Sequence, residues 1–311
     1  MPIVQAGTLN TTALVVPDLY VQIVPPQNLV LNGVPTNVVG MVGTASWGPV
    51  NSPVIVGSMA DYARAFGPIQ PRKHDMGTPV ATAVQQGAQA FRCVRVTDGT
   101  DMAASYALFY DGAQFPALLT ARYTGLVGNT VTLQLTPGSA VGTWSLTLGL
   151  PGQAAERFDN LPAPSGPVFW TALVAAVNGG AGSLRRASQL CVASLGSAIG
   201  TMPTALTPKT LQGGTDGAAV TDATLLGADL LPRTGMFALR GQGCSVLVLS
   251  DSDSGSTWTP QAGFAIQEGL YALVNVLLGT LAAMATSVVA YWVGSSVGSA
   301  RKDDRLAKLG G

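Results

Sequence analysis

The chain has 311 residues, enough for two or three domains, and is 47% hydrophobic but only 10% charged, against about 25% in an average globular protein. So few charges leave either a surface of neutral polar residues or one largely buried against other subunits. Sixteen basic residues balance sixteen acidic ones, so the basic surplus of a nucleic-acid binder is missing.

Residues 1–34 read as an extended arm. Pro2, Pro17, Pro25 and Pro26 interrupt two short apolar stretches, Ala13–Val16 and Leu19–Val24. Such pieces cannot build a core alone, but they can add to the edge of another sheet. Leu14, Val15, Val16, Tyr20, Val21, Ile23 and Val24 are therefore the candidate inter-subunit residues. Met1–Gln5 lacks the basic segment of a secretory signal.

Residues 35–99 show an α/β pattern. Asn37–Gly43 and Pro53–Val56 read as buried strands. Ser58 is a candidate N-cap for a helix over Met59–Phe66, closed by Gly67-Pro68. Thr78-Pro79 predicts a second helix start, running to about Ala90, before the strand Phe91–Val96. Residues 100–211 change character: Val131–Leu135 and Trp144–Leu148 alternate like hairpin strands between Pro-Gly turns, with one helix over about Val168–Asn178. This segment reads as a β-rich domain inserted into the first. Residues 212–311 resume the α/β pattern, with a helix over about Asp222–Leu231 and a strand over Ser245–Ser250. No charge occurs from Gly269 to Ala300, and this run reads as a buried helix (Gln261–Ala283) and strand (Ser287–Val293) rather than a membrane span. The fold class expected is thus an α/β (α+β) core sheet with packed helices, an inserted β-rich domain and an N-terminal arm.

The candidate chemistry is sparse. Gly40-x-x-Gly43 and Gly213-Gly-Thr-Asp-Gly217 fit neither the dinucleotide fingerprint nor the phosphate loop with its Lys, and read as tight turns. Asp251-Ser-Asp-Ser-Gly255 opens like a calcium loop but lacks the later bidentate carboxylate. His74 is the only histidine and sits among Arg72, Lys73 and Asp75, which read together as a solvated polar loop; the chain has no Gly-x-Ser-x-Gly elbow. Arg185-Arg186 reads as solvated surface. Cys93, Cys191 and Cys244 are scattered without metal-type spacing; Cys93 and Cys244 lie in apolar runs and read as core thiols. No catalytic, cofactor or metal residues are assigned, and the chain is not expected to be an enzyme. A nucleotide-using α/β enzyme, the alternative of that class, would need the missing phosphate loop.

Seven phrases, in order, resemble those of contractile phage tail sheath proteins. Pro17-Asp-Leu-Tyr-Val-Gln-Ile-Val24 is similar to the Pro-Gly-Val-Tyr-Val phrase that ends the family's N-terminal arm, with Asp18 in place of Gly. Val38–Val50, with Gly43, Ala45 and Gly48-Pro49, is similar to its strand and turn. Pro53–Gly67 matches the next strand and short helix, and Ala83–Val96 the helix and "V-x-R-V" strand. Arg122–Val131, with Gly125, Gly128 and Asn129, is similar to the opening of the inserted domain. Glu156-Arg-Phe-Asp-Asn-Leu161 is similar to "E-x-F-D-N-L", and Leu211–Gly217 to the return to the core. The resemblance implies a virion protein, made in the host cytoplasm, that assembles as stacked hexameric rings around a tail tube and contracts by subunit rearrangement. Its implied partners are further copies of itself, the tail tube protein, and baseplate and tail terminator proteins, without direct nucleic-acid binding or membrane insertion. A sheath-like component of a bacteriocin or another contractile injection system fits the same phrases. Members of the family continue with more of the core and a C-terminal arm, and the chain is read as lacking much of that region.

Overall fold

The computed structural model describes residues 4–6, 21–23, 38–112, 114–180 and 185–273. The chain divides into two compact units, Met1–Val34 and Pro35–Gly311. In the first, β1 (Val4–Ala6) and β2 (Val21–Ile23) pair in parallel, Val4 opposite Val21 and Ala6 opposite Ile23.

The second unit begins with β3 (Val38–Gly43), β4 (Pro53–Val56), α1 (Met59–Phe66), α2 (Gly77–Gln85) and β5 (Ala90–Arg95). Next come β6 (Ser105–Leu108), β7 (Ala117–Ala121), β8 (Thr132–Pro137), β9 (Thr143–Gly149), β10 (Glu156–Pro162), α3 (Gly166–Gly179), β11 (Cys191–Leu195) and β12 (Leu206–Thr210). The last described elements are α4 (Asp222–Leu226), β13 (Val246–Leu249), α5 (Trp258–Glu268) and β14 (Tyr271–Leu273). Helices and sheets are mixed, as an α+β chain requires.

A five-stranded sheet runs in the order β14-β13-β3-β5-β4. Its first four strands are mutually parallel, and β4 closes one edge antiparallel to β5. Parallel strands bury both faces, which explains the near-continuous apolar runs of β3 and β13. Alternation within each strand divides the core in two. Met41, Phe91 and Cys93 face Tyr62 and Phe66 of α1 and Val80 of α2. Val38, Val42 and Val94 face Leu225 of α4, Met236, Leu239 and Phe264 of α5.

Strands β6 to β12 form two further antiparallel sheets, β10-β9-β8-β12 and β11-β7-β6, and none of them pairs with the five-stranded sheet. Inward side chains such as Leu133, Leu146, Phe158 and Leu119 close over α3, whose Phe169, Trp170, Leu173 and Val177 are fully buried. The indole N–H of Trp170 donates to the Thr201 carbonyl at 2.7 Å, and its ring meets Phe169 edge-on at 4.6 Å. The polar end of this large side chain is therefore satisfied where its apolar body is buried.

Several elements differ from the sequence expectation. Ser58 caps α1 as expected, accepting from the Asp61 amide at 3.1 Å. Helix α2 starts one residue before Thr78, because the Asp75 carboxylate accepts the Gly77 amide at 2.9 Å, and it ends at Gln85 rather than near Ala90. Helix α4 stops at Leu226, where Gly227 turns the chain with φ +71°. Helix α5 stops at Glu268 instead of continuing to Ala283. Gly269 adopts the left-handed conformation, and the Gly269 and Leu270 amides both bond back to the Ala265 carbonyl. Those bonds satisfy the last turn and direct the chain into β14. The expected strand Ser287–Val293 and the charged stretch 301–309 lie outside the described residues. Among the described residues, no helix is long and apolar enough to cross a membrane.

Replacing Trp170 by Ala should cost about 3–5 kcal/mol, the scale for emptying a buried aromatic site. Urea denaturation followed by fluorescence and circular dichroism measures this.

Candidate functional site

The densest polar constellation lies where the chain leaves the five-stranded sheet and returns to it. Ser46 stands in the turn after β3, Arg72 and Asp75 in the strap between α1 and α2, and Arg95 at the end of β5. Asp101 follows on the way out. Thr124, Gly125, Leu126 and Asn129 follow β7, and Gly214 and Asp216 belong to the returning loop after β12.

Asp216 is the hub. Its carboxylate accepts from Arg72 Nη1 at 2.6 Å, from the Ser46 hydroxyl at 2.8 Å and from the Leu126 amide at 2.7 Å. Beside it, the Asn129 side chain donates to the Gly214 carbonyl and accepts from the Gly214 amide, both at 2.8 Å. Backbone bridges join Met102 to Thr215 and Ser105 to Gln212. Gly125 has φ +121°, and a β-carbon there would collide with the Ser46 carbonyl, so the close approach of the two segments requires glycine.

Arg95 lies behind this network with its side chain fully buried. Nη1 donates to the Gly48 and Thr124 carbonyls at 2.8 and 2.9 Å, and Nη2 lies 3.7 Å from Asp101. The Thr124 hydroxyl also donates to Asp101. Burial lowers the Arg95 pKa, opposed by the Asp101 and Asp216 carboxylates. An arginine nonetheless keeps its proton at any ordinary pH. A buried cation needs such partners, and removing one costs more than the pair itself contributes.

The His74 strap is not a solvated loop. His74 and Asp75 are buried, and His74 Nδ1 lies 2.7 Å from the Ser250 carbonyl. The strap extends β3: the Thr44 amide donates to the His74 carbonyl at 2.7 Å, and the Met76 amide to the Thr44 carbonyl at 3.0 Å. The strap thereby seats these polar side chains against the ends of β3 and β13. Arg185 is likewise engaged rather than freely solvated, with its guanidinium 5.0 Å from the Phe158 ring centroid and 3.7 Å from Glu156.

The other candidate motifs are structural. The Gly213–Gly217 loop directs its carboxylate inward, where a phosphate cradle would offer amides. In Asp251–Gly255, Asp253 pairs with Lys73 at 3.2 Å, and among the described residues no three His, Cys, Asp or Glu side chains converge as a metal site would need. In Glu156–Leu161, Glu156 accepts from the Ser188 hydroxyl at 2.5 Å and the Gln189 amide at 2.9 Å, while Phe158 and Leu161 enter the core. All three cysteines are buried, and burial pushes the Cys93 and Cys191 thiols up to about 12 and Cys244 to about 11. Of the candidate arm residues, Val21 and Ile23 lie on β2; Leu14, Val15, Val16, Tyr20 and Val24 lie outside the described residues.

No family model matches the chain, and no curated protein matches it. In structure it is similar to a sheath tail protein of Listeria innocua, with a TM-score of 0.49 and 18% identity, over 74% of this chain and 43% of that one. It is also similar to a sheath tail protein of Desulfitobacterium hafniense, with a TM-score of 0.49 and 15% identity, over 77% of this chain and 48% of that one. The chain thus spans less than half the length of either structure.

Two outcomes follow from the site. Asp216→Ala should destabilise the fold by about 3 kcal/mol, because it strands Arg72 and leaves the Leu126 amide without its acceptor. Asp229→Ala, which removes exposed pairs with Arg233 and Arg240, should cost less than about 1 kcal/mol; equilibrium denaturation of the two variants provides the comparison. In the native state the three thiols should resist a thiol reagent at pH 8 and react fully once the chain is unfolded.

Proposed function

We propose that the chain is a structural, non-enzymatic subunit of a contractile phage tail sheath. The observation that carries this reading joins sequence and geometry. Four of the seven sheath-like phrases, far apart in sequence, supply residues of one junction: Ser46 from the second, Arg95 from the fourth, Gly125 and Asn129 from the fifth, Gly214 and Asp216 from the last. Their polar groups are consumed in holding segments together, which is the use a scaffold makes of them and not that of a reaction site.

On this reading copies of the chain form hexameric rings stacked around a tail tube, between a baseplate and a tail terminator, in the virion. Contraction is a rigid-body rearrangement from an extended lattice to a shorter, wider one and needs no bond chemistry. Residues 35–99 and 212–311 act as the core, and residues 100–211 as an inserted outer domain. The surface supports association: Ile55 on the edge strand β4 is 71% exposed, and Leu230, Leu231 and Ile266 are about as open.

Residues 1–34 serve as a tether. Three-residue strands cannot stand alone, and Val21–Ile23 with its flanking Tyr20 and Val24, or Leu14–Val16, gains most by joining a neighbouring subunit's sheet. Each backbone bond nets only about 0.5–1.5 kcal/mol, but repetition over every copy makes the lattice continuous. Deleting residues 1–26 should leave a folded, soluble protomer that forms no long cylinders in negative-stain electron microscopy. Normal cylinders from the truncated chain would overturn the tether. The undeleted 311-residue chain forming neither rings nor cylinders would count against the sheath assignment itself.

A further inference from the structure

We propose that Arg72 is a protonation-controlled latch, shared between the strap carboxylate Asp75 and the return-loop carboxylate Asp216. Its guanidinium spans both. Nη1 lies 2.6 Å from Asp216 Oδ2, and Nη2 donates to the Ser46 hydroxyl at 3.4 Å. Nε faces Asp75 Oδ1 at 3.9 Å, too far for a hydrogen bond. Both of these facing atoms are buried, and among the described residues neither has a hydrogen bond of good geometry, although the Gln70 and Thr78 amides also lie close to the Asp75 carboxylate. The Asp75 side chain is 2% exposed, and its other oxygen is already taken by the Gly77 amide. The geometry is that of one cation committed to one carboxylate and within a small shift of the second.

The state of Asp75 decides the sharing. When it is neutral, Arg72 belongs to Asp216, and the return loop is held to Ser46 and Leu126. When it ionises, its charge draws the guanidinium toward the strap and weakens the hold on Asp216. Burial favours the neutral form and raises the Asp75 pKa, against the Gly77 and Gln70 amides, then Arg72 and the Thr78 amide, which favour the charged form. A carboxyl raised on folding contributes stability that is complete below its unfolded pKa and lost as pH rises through the folded one. The groups that share this polar region with Asp75 are Tyr62 of α1, Cys93 and Arg95 of β5, Arg72 and His74 of the strap, and Asp216. Burial holds the Tyr62 hydroxyl and the Cys93 thiol protonated, and Arg95 stays cationic, so none of these three switches in the acid range. The latch lies within one copy of the chain and requires no partner.

Amide exchange of the intact chain, measured from pH 4 to pH 8 and expressed as protection after correction for intrinsic rates, tests this. In the wild type, protection of residues 212–218 and of Leu126 should fall about tenfold as pH rises, while β8 and β9 stay constant. Asp75→Asn, neutral at every pH, should hold those residues at the acid level throughout. Arg72→Gln should lower their protection at every pH and flatten the profile. A wild-type profile without the step overturns the latch. So does a step that survives in Asp75→Asn, which would assign it to another group such as His74. If Asp75→Asn does not fold, Arg72→Gln decides alone: a step of unchanged size in that variant overturns the proposal.

Discussion

Two arginines, Arg72 and Arg95, hold together three segments that meet nowhere else in the sequence. Each is partly or wholly removed from water, and a cation in that position is tolerable only if carbonyls and carboxylates surround it. Arg95 obtains carbonyls from the turn after β3 and from the segment after β7. Arg72 obtains Asp216 from 144 residues away. The five-stranded sheet and the paired sheets beyond it therefore share a boundary crossed both by these polar bonds and by Trp47, whose ring enters the second cluster and meets Tyr123 edge-on at 5.2 Å. Apolar burial alone would let the two parts slide; directional bonds to fixed carbonyls do not.

That arrangement explains why the glycines and small polar residues of the chain carry so much of its pattern. The return loop can approach Ser46 only because position 125 has no side chain, and Asn129 presents both its donor and its acceptor to a single backbone residue, Gly214, as a strand would. Such residues leave little freedom for substitution while offering no reactive group.

Much of the α/β frame was legible in the sequence, because β3 and β13 are apolar runs, β5 alternates apolar residues with Arg92 and Arg95, and α1 carries both its capping serine and its closing glycine. The helix ends were less so. Gly269 stood in plain view as a stop signal, but the uncharged stretch around it dominated the reading and carried the helix past its end. Thr78-Pro79 looked like a start, whereas the cap came from Asp75 in the strap. The junction was legible only as phrases. Burial of His74 and Asp75 depends on Thr44 and Ser250, and the role of Asp216 depends on Arg72. Local pattern cannot report a partner so distant, so a buried polar strap and a solvated loop look alike until the chain is folded.

The bridges Met102–Thr215 and Ser105–Gln212 have a further meaning. They place the start and end of an excursion of more than a hundred residues side by side, and the segment after β7 comes back to the same neck through the Thr124 carbonyl and the Leu126 amide. Closing a loop becomes harder only logarithmically with its length, and doubling the excursion would add about 0.6 kcal/mol. Length added to the excursion away from residues 122–131, which bond back to the neck, therefore costs its closure little. Residues inserted there would leave the frame's geometry intact, provided the bonds at the neck are kept.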